Sequence, residues 1–132
     1  MMTLQQLTDY LDSLLQSEAC YPFGPDPLVY KIRGKMFAYV SQESAPYFVT
    51  LKCTPQDGEV LTSQFSSIRP GYHMNKRHWI SVDLEGDVDT GMIEDLCLRS
   101  YQLVVSKLKK SDREALQSMT LQGWMHYACE WR

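Results

Sequence analysis

Leucines recur at helical spacing near the start of the chain. Thr3 and Gln6 match a capping box, in which the threonine side chain accepts a hydrogen bond from the backbone three residues later. The leucines that follow are Leu4, Leu7, Leu11, Leu14 and Leu15. This spacing predicts an amphipathic helix over about residues 4–17. Segment 21–27 holds three prolines and a glycine, so regular structure is not expected there.

Apolar and polar residues then alternate in three short runs. The runs cover residues 28–32, 36–40 and 47–52, and alternation with a period of two is typical of strands. Arg33-Gly34-Lys35 separates the first two runs as a turn, and a polar loop over 41–46 precedes the third. The pattern predicts an antiparallel meander.

The middle of the chain returns to a helical signal. Thr54 is suited to an N-cap with Pro55 at the first helical position, which predicts a short helix over 55–65. Arg69-Pro70-Gly71 is expected to form a turn. Residues 72–74 are expected to form a short strand, which turns through Asn75-Lys76-Arg77 into a strand over 78–84.

The last third of the chain is predominantly helical in pattern. Asp89 or Thr90 caps a long helix whose apolar stripe reaches Leu108. Ser111 and Glu114 match a second capping box, which predicts a further helix to about residue 119.

This order of elements predicts an α+β fold. Strands bracketed by helices, without a βαβ unit, indicate an antiparallel sheet of about four to five strands with helices packed on one face. The chain has 132 residues, 44% hydrophobic and 22% charged, which is typical of an ordinary globular protein. We expect one domain over residues 1–132.

The composition favours a cytoplasmic protein over a membrane or secreted one. No apolar stretch is long enough to span a bilayer, and the first 15 residues carry no basic residue, so neither a membrane segment nor a secretory signal is expected. The cysteines lie far apart and form no CxxC pair; they are Cys20, Cys53, Cys97 and Cys129. We therefore expect a cytoplasmic protein with free thiols, no structural metal and no cofactor.

Charge is segregated along the chain. The formal net charge is -3, which does not favour strong nonspecific binding to nucleic acid. However, segments 27–42 and 60–82 contain no acid, whereas residues 83–95 concentrate acids without a basic residue. The chain is therefore charge-segregated.

Several segments resemble the MmcQ/YjbR family. The most characteristic is residues 69–82, RPGYHMNKRHWISV; Pro22-Phe23-Gly24, Val29-Tyr30-Lys31, Gly34-Lys35-Met36-Phe37-Ala38 and Ser100-Tyr101 also match. The resemblance covers about residues 3–118 and leaves an aromatic tail over 119–132. It implies a frataxin/CyaY-like fold, also described as a double-wing arrangement, and it implies DNA binding. The family supplies no catalytic motif.

The candidate nucleic-acid site consists of two basic hairpin tips and their neighbours. Hairpin tips are slim enough to approach a groove, and their cations can contact phosphates. Tyr72, His73 and Trp79 lie beside the second tip, where aromatic rings could stack on exposed bases. The predicted binding residues are Lys31, Arg33, Lys35, Arg69, His73, Lys76 and Arg77. The plainer interpretation is that these are solvated turns and that Trp79 belongs to the core. So few phosphate contacts imply weak, salt-sensitive binding.

Signals for catalysis or metal binding are weaker. His73 and His78 with Cys53 or Asp83 fit no standard ligand spacing, and they are better explained as polar strand and turn residues. No phosphate loop, GxSxG or HExxH motif is present. Acids over 83–95 could hold a hard cation weakly, but acids also favour a helix N-terminus. We expect no enzymatic activity, no catalytic residue and no metal site.

The aromatic tail over residues 119–132 suggests a different function for the protein. Trp124, Tyr127 and Trp131 recur at spacings of three and four, which places them on one helical face. They either cover a sheet face or anchor a protein partner or a second copy of the chain. The alternative function is therefore a protein-interaction or small-ligand module that acts through the sheet face and the tail.

Overall fold

The computed structural model describes residues 2–43, 45–71 and 75–123, with side chains up to residue 118. The described part of the chain folds into four helices and six strands. In chain order they are α1 Leu4–Ser13, β1 Ser17–Cys20, β2 Leu28–Ile32, β3 Lys35–Ser41, β4 Phe48–Lys52, α2 Pro55–Gln64, β5 Ile68–Pro70, β6 Trp79–Asp83, α3 Thr90–Ser106 and α4 Lys110–Gly123. The α+β class is confirmed, but the sheet has more strands than the sequence predicted.

The additional strand follows the first helix. The Thr3–Gln6 capping box is present, yet α1 ends at Ser13 and not near residue 17. Gln16 takes a positive φ of 58°, and this left-handed residue turns the chain into β1. The leucine spacing did not reveal this turn, because Leu14 and Leu15 continue the apolar pattern after the helix has ended.

The six strands form an antiparallel sheet in the order β1-β2-β3-β4-β6-β5. The meander β2-β3-β4 is confirmed. Arg33 and Gly34 join β2 to β3 with φ values of 50° and 80°, as a tight two-residue hairpin turn of type I′ requires. The register shifts between Tyr30 and Lys31, so β3 carries a bulge near Phe37.

The edge strand β5 corrects a second prediction. Arg69-Pro70-Gly71 was expected to turn, but Ile68–Pro70 is a strand in which Arg69 pairs with Ser81 and Pro70 with Ile80. Proline is tolerated because β5 has a partner on one side only. The short strand predicted over residues 72–74 lies outside the described residues.

Helices α1, α2 and α3 pack on one face of the sheet, which we call the helix face. Buried side chains from α1, α2 and α3 share a core with alternate strand residues such as Ile32, Val40, Leu51 and Val82. The opposite face, which we call the far face, carries Tyr39, Phe48, Thr50, Trp79 and Ser81, as the strand register requires. Thr50 and Ser81 are fully buried on this face and share a hydrogen bond of 2.7 Å.

Helix starts follow the predicted caps in three of four cases, the Thr3–Gln6 box among them. Thr54 accepts a hydrogen bond from the Asp57 amide at the start of α2, and Asp89 accepts one from the Met92 amide at the start of α3. The Ser111–Glu114 capping box is wrong, because the Lys109 carbonyl already accepts the first helical bonds. Ser111 lies inside α4, which also extends to Gly123 and not to residue 119.

The loop after β6 is fixed by a hydrogen-bonded carboxylate. Asp87 accepts hydrogen bonds from the backbone amides of Ser66 and Ser67 at 3.0 and 3.1 Å, and from the Ser67 hydroxyl. The Ser67 hydroxyl, followed by these amides, holds the pKa of Asp87 at about 2 although desolvation acts in the opposite direction. The ionised carboxylate thus ties this loop to the start of β5.

We expect Asp87→Asn to destabilise the protein near neutral pH. Because its folded pKa lies below the ordinary 3.8, Asp87 stabilises the fold fully above that value and loses this contribution as pH falls through about 2. Urea midpoints of the variant and the wild type should differ at pH 7 and converge toward pH 2. Glu85→Gln, at an exposed acid in the same loop, is the control. A gap that stays constant with pH would contradict the assignment.

A candidate nucleic-acid interface at one end of the sheet

The two predicted basic tips lie at the same end of the sheet. Strand β2 runs toward this end and β3 starts from it, so the turn at Arg33 and Gly34 lies there. Strand β5 also runs toward it and β6 starts from it, so the connection that carries Lys76 and Arg77 lies there too. We call this the basic end. Sequence spacing alone did not decide whether the tips converge, whereas the strand order does.

The separation of the tips follows from the strand order. Three strand spacings separate the centre of the β2-β3 pair from the centre of the β6-β5 pair, or roughly 14 Å along the sheet. The major groove of B-DNA is about 12 Å wide. The two tips are therefore spaced so that both can contact the backbone of one nucleic acid.

A third basic segment joins the first tip. Helix α3 ends at this end of the sheet, since the Tyr101 hydroxyl donates to the Leu15 carbonyl next to the start of β1. The corner between α3 and α4 therefore lies beside the β2-β3 turn, where Arg33 approaches Asp112 at 3.9 Å. This corner carries exposed Lys107, Lys109 and Lys110. These lysines were not among the predicted binding residues, although the run Lys107-Leu108-Lys109-Lys110 is a visible signal in the sequence.

Charge is consequently segregated between the two ends of the fold. Ten of the 13 Lys and Arg residues lie on or next to the basic end: Lys31, Arg33, Lys35, Lys52, Lys76, Arg77, Lys107, Lys109, Lys110 and Arg113. Acids gather at the opposite end, in the loop before β2, after β3 and after β6: Asp26, Glu43, Asp83, Glu85, Asp87 and Asp89. The basic end also holds acids, among them Glu18 opposite Lys31, and Asp57, Glu59, Asp112 and Glu114. Such a distribution orients the protein toward a polyanion in spite of its negative net charge.

The structure groups most, but not all, of the predicted binding residues. Lys35 starts β3 at the basic end, and Lys31 lies one row behind it on the far face, opposite Glu18 and Met36. Arg69 does not join them. Its guanidinium donates to Asp83 at 2.7 Å and stacks over Phe48 at 4.9 Å, directed away from the basic end. His73 lies outside the described residues.

A shallow cleft of about 210 Å³ lies between α2 and the second tip. Lys76 and Arg77 line it together with Glu59 and Thr62 of α2. The cleft is open to solvent, and it shows that both cations of the tip face a surface that a ligand can reach.

The far face adds a residue that the sequence analysis did not select. Lys52 pairs with Trp79 across β4 and β6, and its ammonium nitrogen lies 5.6 Å from the indole centroid. Trp79 was alternatively interpreted as a core residue, but it is half-buried on the face opposite α1, α2 and α3. The Lys52–Trp79 pair occupies the far-face row nearest the basic end, between the two tips.

Two buried thiols are held in their neutral form. Burial, with a contribution from Asp57, raises the pKa of Cys53 to about 11. Burial also raises the pKa of Cys97, which packs inside the core beside Glu94. The backbones of Cys53 and His78 meet, since the Cys53 amide donates to the His78 carbonyl at 2.9 Å. A neutral thiol is a poor nucleophile, so neither cysteine is activated in this structure.

Individual acids of segment 83–95 have local roles. Asp83 pairs with Arg69, Asp89 caps α3 and Asp95 pairs with Arg99 at 2.8 Å. Within the part of the chain that the structure describes, no group of three or more His, Cys, Asp or Glu side chains is arranged to hold a metal ion. Likewise, none of the described helices has the length and apolarity that crossing a bilayer requires.

Known sequences and structures resemble this chain over most of its length. The YjbR family model matches residues 12–103. The protein YbdF of Escherichia coli O157:H7 is 41% identical over 100 residues, which are 76% of this chain and 82% of that protein. The protein YjbR of Escherichia coli K12 is 36% identical over 86 residues, or 65% of this chain and 73% of that protein. Both relatives are described as uncharacterized.

Solved structures show the same fold. A crystal structure of a Deinococcus radiodurans protein superposes with a TM-score of 0.83 and 35% identity, and it covers 89% of each chain. A Pseudomonas syringae protein superposes with a TM-score of 0.69 and 28% identity over 77% of this chain and 98% of its own. The architecture is therefore shared, while the names of these proteins assign no ligand.

Proposed function

The chain belongs to the YjbR family, and on that premise we propose that it is a non-enzymatic cytoplasmic protein that binds DNA weakly through its basic end. The observation that carries the proposal is the placement of both hairpin tips and the α3-α4 corner at one end of the sheet. The comparison with a frataxin/CyaY-like fold stays a prediction made from the sequence resemblance.

The physical basis is electrostatic. Each Lys or Arg that neutralises a phosphate releases condensed counterions, so binding weakens as salt rises. Lys35, Lys76 and Arg77 are exposed on tips that project from the sheet, where they can reach phosphates without displacing packed structure. The acidic end faces the other way and repels nucleic acid. Together these features favour one docking orientation with weak, salt-sensitive affinity.

Reversing the three tip charges should largely abolish binding. We expect Lys35→Glu, Lys76→Glu, Arg77→Glu to weaken duplex-DNA binding at low salt by roughly 100-fold. The slope of log K against log salt should fall in magnitude by about three, one for each lost phosphate contact. Fluorescence anisotropy with a labelled short duplex, measured between about 50 and 200 mM salt, gives both quantities.

The control is Arg99→Glu, which changes the net charge as much as any one of the three substitutions. Arg99 is exposed on α3, where it pairs with Asp95 and lies apart from both tips. The control should bind DNA almost as the wild type does. The proposal fails if the wild type does not bind at low salt, or if the triple variant binds as well as the wild type.

The alternative function is a protein-interaction or small-ligand module that uses the far face and the aromatic tail. Half-buried aromatic residues on the far face favour it, since Tyr39 and Phe48 stack there at a centroid distance of 6.5 Å. Residues 124–132 lie outside the described residues. A pull-down with and without DNase separates the two functions: partners lost on DNase treatment favour DNA binding, and partners retained favour a protein interface.

A further inference from the structure

We propose that the nucleic acid held at the basic end is single-stranded at the point of contact, with an unpaired base stacked on Trp79 and a phosphate held by Lys52. This inference rests on the proposed function and specifies its substrate class. It starts from the position of the pair, because Lys52 and Trp79 lie opposite each other on the far face in the row nearest the basic end. A strand that contacts both tips would pass this row.

The environment of the indole is asymmetric. On the β4 side, the Lys52 ammonium lies 5.6 Å from the ring centroid. On the β5 side, the neighbour is Gly71, whose amide donates to the Trp79 carbonyl at 2.7 Å. A Cβ atom at position 71 would lie 2.6 Å from the Trp79 Cβ, so the close strand approach excludes a side chain there. Gly71 is buried and presents no side chain to the indole.

The chemistry of Lys52 and Trp79 suits a base that is not stacked inside a duplex. Stacking of a base on an aromatic ring contributes about 1–3 kcal/mol and tolerates any base. Bases inside a duplex are already stacked on each other and cannot make this contact without being extruded. A lysine ammonium next to the ring can bind the phosphate of the stacked nucleotide. Lys31, two strands further along on the same face, extends the cationic track toward the first tip.

The first test compares two nucleic acids and one substitution. Oligo(dT) of about ten nucleotides and a short DNA duplex are titrated against the wild type and Trp79→Val, since valine suits a strand. We expect the variant to lose affinity for oligo(dT) by about 5- to 150-fold and to keep its affinity for the duplex. Phe23→Val is the matched control, because Phe23 is an exposed aromatic residue, 75% accessible, in the loop at the acidic end.

A second measurement leaves the site intact. The chain has three tryptophans, so replacement of Trp124 and Trp131 with phenylalanine makes Trp79 the only fluorophore of this type. Stacking of a base should quench its emission when oligo(dT) is added, whereas sodium phosphate should not. Lys52→Gln in this background should weaken the quenching titration without changing the emission of the free protein greatly.

The outcomes separate the two proposals. Loss of oligo(dT) binding alone in Trp79→Val, together with quenching, supports the stacking site. If Trp79→Val affects both nucleic acids equally or neither of them, or if oligo(dT) leaves the emission unchanged while it binds, the stacking site is overturned and DNA binding by the tips stands. If the wild type binds neither nucleic acid at low salt, the proposed function itself is overturned.

Discussion

Replacing Phe37 with alanine is expected to lower the free energy of unfolding by about 3–5 kcal/mol. Phe37 lies at the bulge of β3 and is fully buried. Its ring packs edge-on against Tyr101 of α3 with a centroid distance of 5.3 Å, and it also contacts Tyr30 at 6.4 Å. Deleting the ring removes both contacts and leaves a cavity between the sheet and α3 that the rigid strands cannot close.

Urea unfolding followed by circular dichroism measures this cost. Phe23→Ala is the control, since the same chemical change at an exposed position should alter stability by less than about 0.5 kcal/mol. A domain of this kind has only about 5–15 kcal/mol of stability in total, so Phe37→Ala should leave a protein that is close to unfolding. A cost below about 1 kcal/mol would show that Phe37 is not part of the core.

Ser100→Ala is expected to destabilise the protein by about 2–4 kcal/mol through lost hydrogen bonds and not through lost packing. The buried Ser100 hydroxyl donates to the Phe37 carbonyl at 2.5 Å and accepts from the Lys52 amide at 2.8 Å. It thereby satisfies backbone groups of two neighbouring strands where the bulge interrupts the ladder. Alanine at position 100 leaves the Phe37 carbonyl and the Lys52 amide without the hydroxyl that bonds them.

The matched control lies in the same helix. The exposed Ser106 hydroxyl donates only to the Leu103 carbonyl of its own turn, so Ser106→Ala should be nearly neutral. Comparing the denaturant midpoints of Ser100→Ala and Ser106→Ala tests this prediction. Equal midpoints would mean that water or a neighbouring group replaces the Ser100 hydroxyl, and that the bulge does not depend on α3.

Much of the fold followed from local patterns. The Thr3, Thr54 and Asp89 caps and the β2-β3-β4 meander were all predicted, because caps, turns and alternation are encoded within a few residues. The errors arose where tertiary contacts override such patterns. Strand β1 is short and lies at one edge of the sheet, so its sequence pattern is weak. Pro70 favoured a turn over a strand, and a strand is possible there only because β5 forms the other edge of the sheet.

The candidate site was only partly predictable for the same reason. The charge of each tip was evident from Lys35, Lys76 and Arg77, but their common location depends on strand order. The contribution of Lys107 depends on α3 ending beside the first tip, and the pairing of Lys52 with Trp79 depends on register. Neither the position of the α3 end nor the register of Lys52 and Trp79 can be read from residues close together in the sequence. Arg69 lies apart from the tips because it forms an ion pair with Asp83 across the β5-β6 pair, a contact that sequence spacing does not reveal.

The most direct test of DNA binding by the basic end is a titration of the ¹⁵N-labelled protein with a short DNA duplex at low salt, followed by amide chemical shifts. The account predicts that shifts concentrate in residues 33–35, 75–77 and 107–113, which lie together at the basic end. Residues 21–27 and 84–89, at the acidic end, should stay unchanged. Shifts confined to the acidic end, or the absence of shifts at both tips, would contradict it.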